Sequence, residues 1–194
     1  MTKLFSFLFI IIFFKLSFAS SDSLIANAEK KWNDINSMTG QFKQIDSDGK
    51  IQYGNFYLKK PHKSLFEYNI QKEKILTTKF FLHILNQKHF IIDSYPIGSN
   101  PIKYLLLENL DLQKHFEVLS YETKDQIIVE LSKPEVPKNM EKIYLYFNKE
   151  SLDLKKWEIF NEFGEKTSLE FTNILKNISI SADKFVIHYN NTNE

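Results

Sequence analysis

The sequence contains no cysteine, and this absence excludes several classes of protein at once. Disulfide scaffolds, thiol nucleophiles, thiolate zinc sites, iron–sulfur clusters and lipid attachment through an N-terminal cysteine all require that residue. Glycine is also scarce, with five in 194 residues, and the sequence holds neither G-x-G-x-x-G nor G-x-x-x-x-G-K. Because these glycine-rich loops are the usual phosphate cradles, we do not expect nucleotide chemistry.

An excess of positive charge is missing as well. The 25 basic residues, all lysine, are balanced by 24 carboxylates, so the net charge of +1 gives no electrostatic case for nucleic acid. The five histidines lack H-E-x-x-H or H-x-H spacing, and no G-x-S-x-G surrounds a serine. His83, His89 and Asp93 would lie close together on a hairpin, where we interpret them as cross-strand polar side chains. We therefore predict no metal, no cofactor and no enzymatic activity.

The longest apolar run lies at the N-terminus. Residues 4–16 form an apolar run in which Lys15 is the one charged residue and Ser6 the one uncharged polar residue, and Ser17-Phe18-Ala19 places small residues at the two positions that a signal peptidase reads. At about 13 residues, the run is shorter than the roughly 20 needed to span a bilayer. The pattern predicts a cleaved export signal at 1–19 followed by one domain at 20–194. An N-terminal amphipathic or buried helix is the alternative.

The remaining sequence predicts one helix and many short strands. Apolar residues recur at helical spacing over 22–35 behind N-cap candidates, which is typical of an amphipathic helix. A D-G pair within 46–50 separates the first two strands and is a strong hairpin signal. Such a series of antiparallel strands implies a large curved sheet or an incomplete barrel. The predicted strands are 38–45, 51–58, 64–70, 74–85, 88–95, 115–122, 126–132, 141–148, 153–161, 166–176 and 184–189.

A second predicted helix, at 101–108, interrupts the strands. Asn100-Pro101 gives it an N-terminal signal, and the residues that follow are apolar around most of its circumference. Such a helix needs cover on both sides, or it is itself a cover. Several strands are also apolar on both faces. Two arrangements satisfy these patterns: the helix fills part of the concave side and leaves an apolar cavity, or the sheet curls into a filled barrel core.

Four segments together resemble a known family. They are M-T-G-Q-F-K-Q at 38–44, G-N-F-Y-L-K-K-P at 54–61, N-P-I with L-L-L over 100–107, and F-G-E-K-T at 163–167. Their order and spacing are similar to those of the periplasmic lipoprotein carriers of the LolA family. The resemblance covers nearly all of residues 24 to 188. It implies a mainly β fold, an unclosed antiparallel β-barrel of about ten or eleven strands with a helical lid over a hydrophobic cavity.

The resemblance also implies a function. Carriers of this family work in the periplasm as monomers without a cofactor. They receive lipoproteins from an inner-membrane ATP-driven transporter, hold the acyl chains and pass them to an outer-membrane acceptor. An acceptor of the same fold would be lipid-anchored, which the missing cysteine excludes. A periplasmic protein that binds or senses amphiphiles without transferring them remains the alternative.

The family's site residues can be assigned to this chain by their positions in the matching motifs. The resemblance implies a lipid-binding cavity formed by the following residues: Trp32, Tyr57, Phe66, Ile102, Leu105 and Leu106. It implies a lid latch at Lys60, where the family usually has arginine, and lysine cannot make arginine's planar, forked contacts. The ending after Phe185 also lacks the family's P-x-G segment.

Overall fold

The computed structural model describes residues 21–98, 100, 102–134 and 142–189. The predicted signal at 1–19 lies outside this range. Among the described helices, none is long and apolar enough to cross a bilayer.

Short helices and eleven strands make up the described chain. The helices are α1 (Ser21–Asn33), α2 (Ile102–Leu105), α3 (Leu112–His115) and a 3₁₀ helix (Ala182–Phe185). The strands are β1 (Ser37–Ile45), β2 (Ile51–Lys59), β3 (Lys63–Tyr68), β4 (Lys74–Thr77), β5 (Phe81–Leu85), β6 (Ile91–Pro96), β7 (Glu117–Glu122), β8 (Gln126–Ser132), β9 (Lys142–Asn148), β10 (Leu154–Phe160) and β11 (Lys166–Lys176).

All eleven strands belong to one antiparallel sheet. Its order is β6-β5-β4-β3-β2-β1-β11-β10-β9-β8-β7, so two meanders are joined where β1 pairs with β11. The two edge strands, β6 and β7, are not paired with each other within the described residues, which leaves the barrel unclosed. In the chain, α2 and α3 lie between these two edges. The predicted fold class, an unclosed antiparallel barrel with few helices, is confirmed.

The main core lies on the inner, concave face of this sheet. Successive side chains of a strand point to opposite faces, and every second residue of β2, β8 and β9 is buried inward. The apolar stripe of α1 packs against the same core through Ile25, Ala28 and Trp32, as its helical spacing predicts. Burial of this shared core holds the helix on the sheet.

Two glycines allow aromatic rings to lie flat on the inner face. Gly54 pairs with Phe42 across β1 and β2, and Gly40 pairs with Phe56 in the same ladder. A Cβ at Gly54 would lie 2.6 Å from Phe42 Cε1, and one at Gly40 would lie 2.9 Å from Phe56 Cε1. A side chain at either position would therefore displace a ring of the core.

The outer face carries a second, smaller core. Leu65, Leu76 and Leu85 on β3, β4 and β5 are each at most 1% exposed. Phe185 and Ile187, from the segment that contains the 3₁₀ helix, pack against this cluster. This C-terminal segment explains why strands at this end of the sheet are apolar on both faces.

Three predicted boundaries were wrong. The predicted strand 74–85 is two strands, because residues 78–80 form a turn in which Thr78 Oγ1 accepts a 3.2 Å hydrogen bond from Phe81 N. No glycine or proline marks that turn. The predicted strand 184–189 is a 3₁₀ helix followed by an isolated bridge between Phe90 and His188. The predicted helix 101–108 is shorter, and α3 was not predicted.

Candidate functional site

Aromatic rings from five strands meet at the centre of the inner face. Ring centroids lie 5.3 Å apart for Phe42 and Phe66, 5.1 Å for Phe56 and Phe171, and 5.2 Å for Trp157 and Phe171. The contacts are mostly edge-to-face, the geometry that aromatic pairs prefer. The result is a continuous apolar wall that spans β3, β2, β1, β11 and β10.

A cavity of about 120 Å³ remains between this wall and the cover above it. Its lining is mainly apolar: Phe66, Ile75, Leu82, Ile102, Trp157, Ile159 and Leu169, with Gln44, Tyr68, Thr77 and Asn100. Ligand pockets usually measure about 300–1,000 Å³, so the cavity is small for an amphiphile as the structure stands. Of the two arrangements that the sequence left open, the structure has the first: a helix fills part of the concave side and an apolar space remains.

The polar side chains at one end of the cavity bind one another. Tyr68 donates its hydroxyl to Gln44 Oε1 over 2.7 Å, and Gln44 Nε2 donates to Asp46 Oδ1 over 2.6 Å. Burial, with the nearby Asp46 carboxylate, raises the pKa of Tyr68 above its ordinary value. The phenol is therefore neutral at physiological pH and fixes the amide of Gln44 as a donor to the carboxylate.

The cover over the wall is α2 with the residue that follows it. Ile102, Leu105 and Leu106 are 8%, 5% and 0% exposed, and all three belong to the main core. Tyr104 of the same helix packs against Phe116, with ring centroids 4.8 Å apart. A four-residue helix has little stability of its own, so these contacts hold it in place.

Hydrogen bonds tie the cover to its surroundings. Trp32 Nε1 on α1 donates to Leu105 O over 3.1 Å, and His62 N donates to Leu106 O over 2.8 Å. Asn33 exchanges two bonds with the backbone of Leu110, of 2.9 and 2.7 Å. The cover is thus bound to α1 and to the β2–β3 turn mainly through its own backbone carbonyls.

Lys60 braces the residue that holds the cover. Its Nζ donates to Trp32 O over 2.6 Å and lies 5.1 Å from the centroid of the Trp32 ring. Burial lowers the pKa of Lys60 to about 8, against the opposing attraction of Asp34. The predicted latch residue thus bonds α1, and its link to α2 runs through Trp32. Its role as a latch stays a prediction.

The structure gathers five of the six predicted cavity residues into one cluster. Trp32, Phe66, Ile102, Leu105 and Leu106 all lie in the main core. Tyr57 does not, because alternation on β2 turns its neighbour Phe56 inward and places Tyr57 against the outer cluster. The Tyr57 ring is covered there by Lys184 Nζ, 4.1 Å from its centroid. Phe56 therefore takes the inward position that was predicted for Tyr57.

Other residues of the site were not predicted. Trp157, Phe171 and Leu169 complete the wall. The alternation of Leu169 and Phe171 with the polar Glu170 on β11 was the available signal for two of them. Asn33 and His62 carried no signal, since their roles depend on segments distant in sequence. The indole nitrogen of Trp157 is buried and, like Ser64 Oγ, has no hydrogen-bond partner in the described structure.

The family model that describes the outer membrane lipoprotein carrier protein LolA matches residues 33–188. The chain belongs to the LolA family. Its members are carriers or binding proteins for hydrophobic ligands, which fits an apolar wall with a cavity beside a short helix. The predicted family is thereby confirmed, and the matched range contains all the elements from β1 to the 3₁₀ helix.

The chain is similar to several solved structures at low sequence identity, and the likeness to MucB supports the fold. The crystal structure of MucB is 10% identical with a TM-score of 0.53, over 88% of this chain and 63% of that chain. A LolA superfamily protein from Nitrosomonas europaea is 10% identical with a TM-score of 0.47, over 86% of this chain and 97% of that chain. A putative outer membrane lipoprotein-sorting protein domain from Vibrio parahaemolyticus is 11% identical with a TM-score of 0.49, over 83% and 94%. This chain thus spans less than two thirds of MucB. No curated protein matches the sequence at a significant level.

Proposed function

We propose that this protein is a periplasmic carrier that binds the acyl chains of lipoproteins on its inner face and shuttles them from the inner to the outer membrane. The observation that carries the proposal is the cover: a four-residue helix whose apolar side chains lie on an aromatic wall beside a cavity of about 120 Å³. An acyl chain offers the same wall the same kind of surface. It therefore replaces the helix without loss of apolar contact.

The energetics of the task support this interpretation. A chain of sixteen carbons in water is disfavoured by on the order of ten kcal/mol, at about 0.8 kcal/mol for each methylene. A carrier has to offset most of this cost and still release its cargo. Aromatic rings and branched aliphatic side chains offset the cost by burying the apolar surface of the chain, and they form few directional bonds with it. In the empty state α2 covers part of that area, so its return to the wall assists release.

The other parts of the proposal rest on family membership. The export signal at 1–19 delivers the protein to the periplasm, and mature protein begins at Ser20. An ATP-driven transporter of the inner membrane supplies the lipoprotein, so the carrier itself needs no nucleotide site. An outer-membrane acceptor takes the cargo. The carrier works as a monomer and without a cofactor.

Two measurements test the proposal. The first is native mass spectrometry of the protein purified from its own periplasm, in which we expect a bound triacylated lipoprotein. The second mixes that complex with outer-membrane vesicles and follows the lipoprotein into the vesicle pellet. Binding with transfer supports a carrier. Binding without transfer to any membrane fraction would instead establish the amphiphile-binding or sensing alternative, and protein without any bound lipid that also fails to take up acyl chains would contradict both.

A further inference from the structure

Trp157 is the buried residue of the cavity wall whose bonding is incomplete. It lies on β10, is 4% exposed and lines the cavity beside Phe66 and Ile102. Its indole N–H has no hydrogen-bond partner among the described residues. The other tryptophan, Trp32, is equally buried, but its N–H donates to Leu105 O. Two indoles on the same core thus differ in one bond.

An unpaired buried donor is costly, and the great majority of buried polar groups have a partner. The neighbouring polar side chains of the cavity follow the rule: Tyr68 and Gln44 bond each other, and Asn100 Oδ1 accepts from Ile102 N. The second exception is Ser64 Oγ, two residues before Phe66 on the same face of β3. The rings of Phe66 and Trp157 lie 6.5 Å apart. Both unpaired groups therefore flank Phe66, within an otherwise apolar wall.

We propose that the indole N–H of Trp157 is a binding site for the carbonyl oxygen of an ester- or amide-linked acyl chain, which it receives when the chain displaces α2. The inference rests on the proposed function and names the chemical class of ligand for the same cavity. An indole is a neutral donor that cannot accept, so it suits an uncharged acceptor oxygen. A carbonyl is the polar group at the head of an acyl chain, and the aromatic wall takes the methylenes.

This arrangement distinguishes acyl chains from alkyl chains. Both fill the cavity equally, but an ether-linked chain brings no carbonyl and leaves the indole unpaired. A site that holds an unpaired polar group discriminates against ligands that cannot satisfy it. Trp157 therefore makes the carrier selective for acylated molecules over hydrocarbons and ether lipids of the same length.

The first experiment compares two probes with the same headgroup and chain length, 1-palmitoylglycerol and 1-O-hexadecylglycerol, in competition against a fluorescent alkyl probe. We expect the wild-type protein to bind the ester about five- to tenfold more tightly than the ether, the ratio that one net hydrogen bond gives. In Trp157→Phe, which keeps an aromatic ring and removes the donor, the two probes should bind with equal affinity, near the wild-type affinity for the ether.

The second experiment needs no variant to bind. The chain has two tryptophans, so an amide-type nitrogen–proton NMR spectrum shows two indole signals, assigned with Trp157→Phe. Either probe should shift the Trp32 signal, since displacement of α2 breaks its bond to Leu105 O. The ester alone should move the Trp157 proton signal downfield, as expected for a new hydrogen bond. Trp32 thereby serves as an internal control for binding.

The outcomes distinguish a failure of the proposed function from a failure of the carbonyl site. If the wild-type protein binds neither probe, the proposed function fails and this inference fails with it. If it binds both with equal affinity, or if Trp157→Phe weakens both by the same factor, the carrier function stands and the carbonyl site is refuted. A Trp157 signal that moves equally with ester and ether refutes it as well.

Discussion

Each face of the sheet has an apolar surface under a short cover, and the two covers are held differently. The inner cover, α2 with Leu106, is tied by bonds between uncharged groups: Trp32 Nε1 to Leu105 O over 3.1 Å, and His62 N to Leu106 O over 2.8 Å. Such bonds contribute about 0.5–1.5 kcal/mol each. They keep the helix in place, but each bond is weak enough to break without unfolding the protein.

The outer cover, residues 182–189, is held by charges. Lys184 Nζ lies 3.1 Å from Glu67 Oε2 and 4.1 Å from the centroid of the Tyr57 ring. Lys74 also bonds Glu67, over 3.1 Å, and His89 Nδ1 donates to Val186 O over 2.9 Å. Burial raises the pKa of Glu67, but the hydrogen bonds from the two lysines outweigh it and hold that pKa below its usual range.

The apolar surfaces beneath the two covers also differ. Under the outer cover lie three leucines that are each at most 1% exposed, with Phe185 and Ile187 packed against them. Under the inner cover lie a cavity of about 120 Å³ and an unpaired indole. The outer cover packs on a filled core cluster, whereas the inner cover lies beside a cavity, which is where the proposed function places the ligand.

The sharpest test of this comparison places the same polar group in a strand and in the inner cover. Leu145 on β9 and Leu106 are 1% and 0% exposed. We expect Leu145→Asn to cost about 3–5 kcal/mol, which lowers the melting temperature by roughly 10 °C or more, because its amide cannot reach water. Leu106→Asn and Leu105→Asn should cost less than half of that, since their segment can swing outward. Thermal unfolding measures the difference.

The same variants are then assayed for uptake of an acyl probe. Leu105→Asn and Leu106→Asn should change binding more than folding. Equal losses of stability in the cover and in the strand would show that α2 is ordinary core. If neither stability nor binding changes, α2 does not act as a cover.

A smaller effect is expected at the charged ties of the outer cover. Glu67→Gln keeps the shape and removes the charge, and should cost about 1–2 kcal/mol at pH 7. Because the folded-state pKa of Glu67 is depressed, its contribution is complete above the unfolded-state pKa and is lost as pH falls through the folded-state pKa. Urea unfolding of both proteins from pH 6 to pH 3 should therefore show the difference shrink, and acyl binding at pH 7 should not change. A constant difference across this range would contradict the role of the charge.

The charge of Lys60 should have the opposite effect on stability to that of Glu67, because a buried ammonium opposes folding. Its folded-state pKa of about 8 lies below that of an unfolded lysine, so the unfolded chain binds more protons above pH 8 and stability rises with pH. Relative to Lys60→Met, the wild-type protein should gain about 1–2 kcal/mol between pH 7 and pH 10, once the lowered pKa is discounted for solvent screening. Denaturant unfolding at both pH values measures this gain. Identical pH profiles would show that Lys60 is solvated.

The smallest effect concerns a single tie of the inner cover. Trp32→Phe removes the bond to Leu105 O and keeps an aromatic ring against Lys60. We expect a loss of about 0.5–1 kcal/mol in stability and, because the helix competes with the ligand, a two- to fourfold gain in affinity for an acyl probe. Affinity that falls in proportion to stability would mean that Trp32 supports the site and does not restrain the cover.

Much of the fold followed from local patterns. The D-G turn at 46–50 and the alternation of β2 placed the first hairpin correctly, since turn chemistry and the two-residue period act over a few neighbours. The apolar stripe over 22–35 likewise placed the first helix correctly, because helical spacing is also a local pattern. By contrast, the turn at 78–80 was missed because Thr78 closes it with its own hydroxyl, which leaves no glycine or proline in the sequence.

The sequence by itself determined most of the strands, the first helix and the family, because period, turn residues and motif order are properties of neighbouring positions. Five of the six predicted cavity residues share one core cluster, and their role in lipid binding stays a prediction. Only the tertiary structure decided which side of the sheet each of two adjacent aromatics occupies: Phe56 faces the wall and Tyr57 faces Lys184. Phe56 and Tyr57 each pack against a core cluster on their own side of β2, so their hydrophobicity does not distinguish the two faces. The same holds for the two tryptophans, since a hydrogen bond between residues 32 and 105, and its absence at Trp157, depend on contacts between segments far apart in the chain.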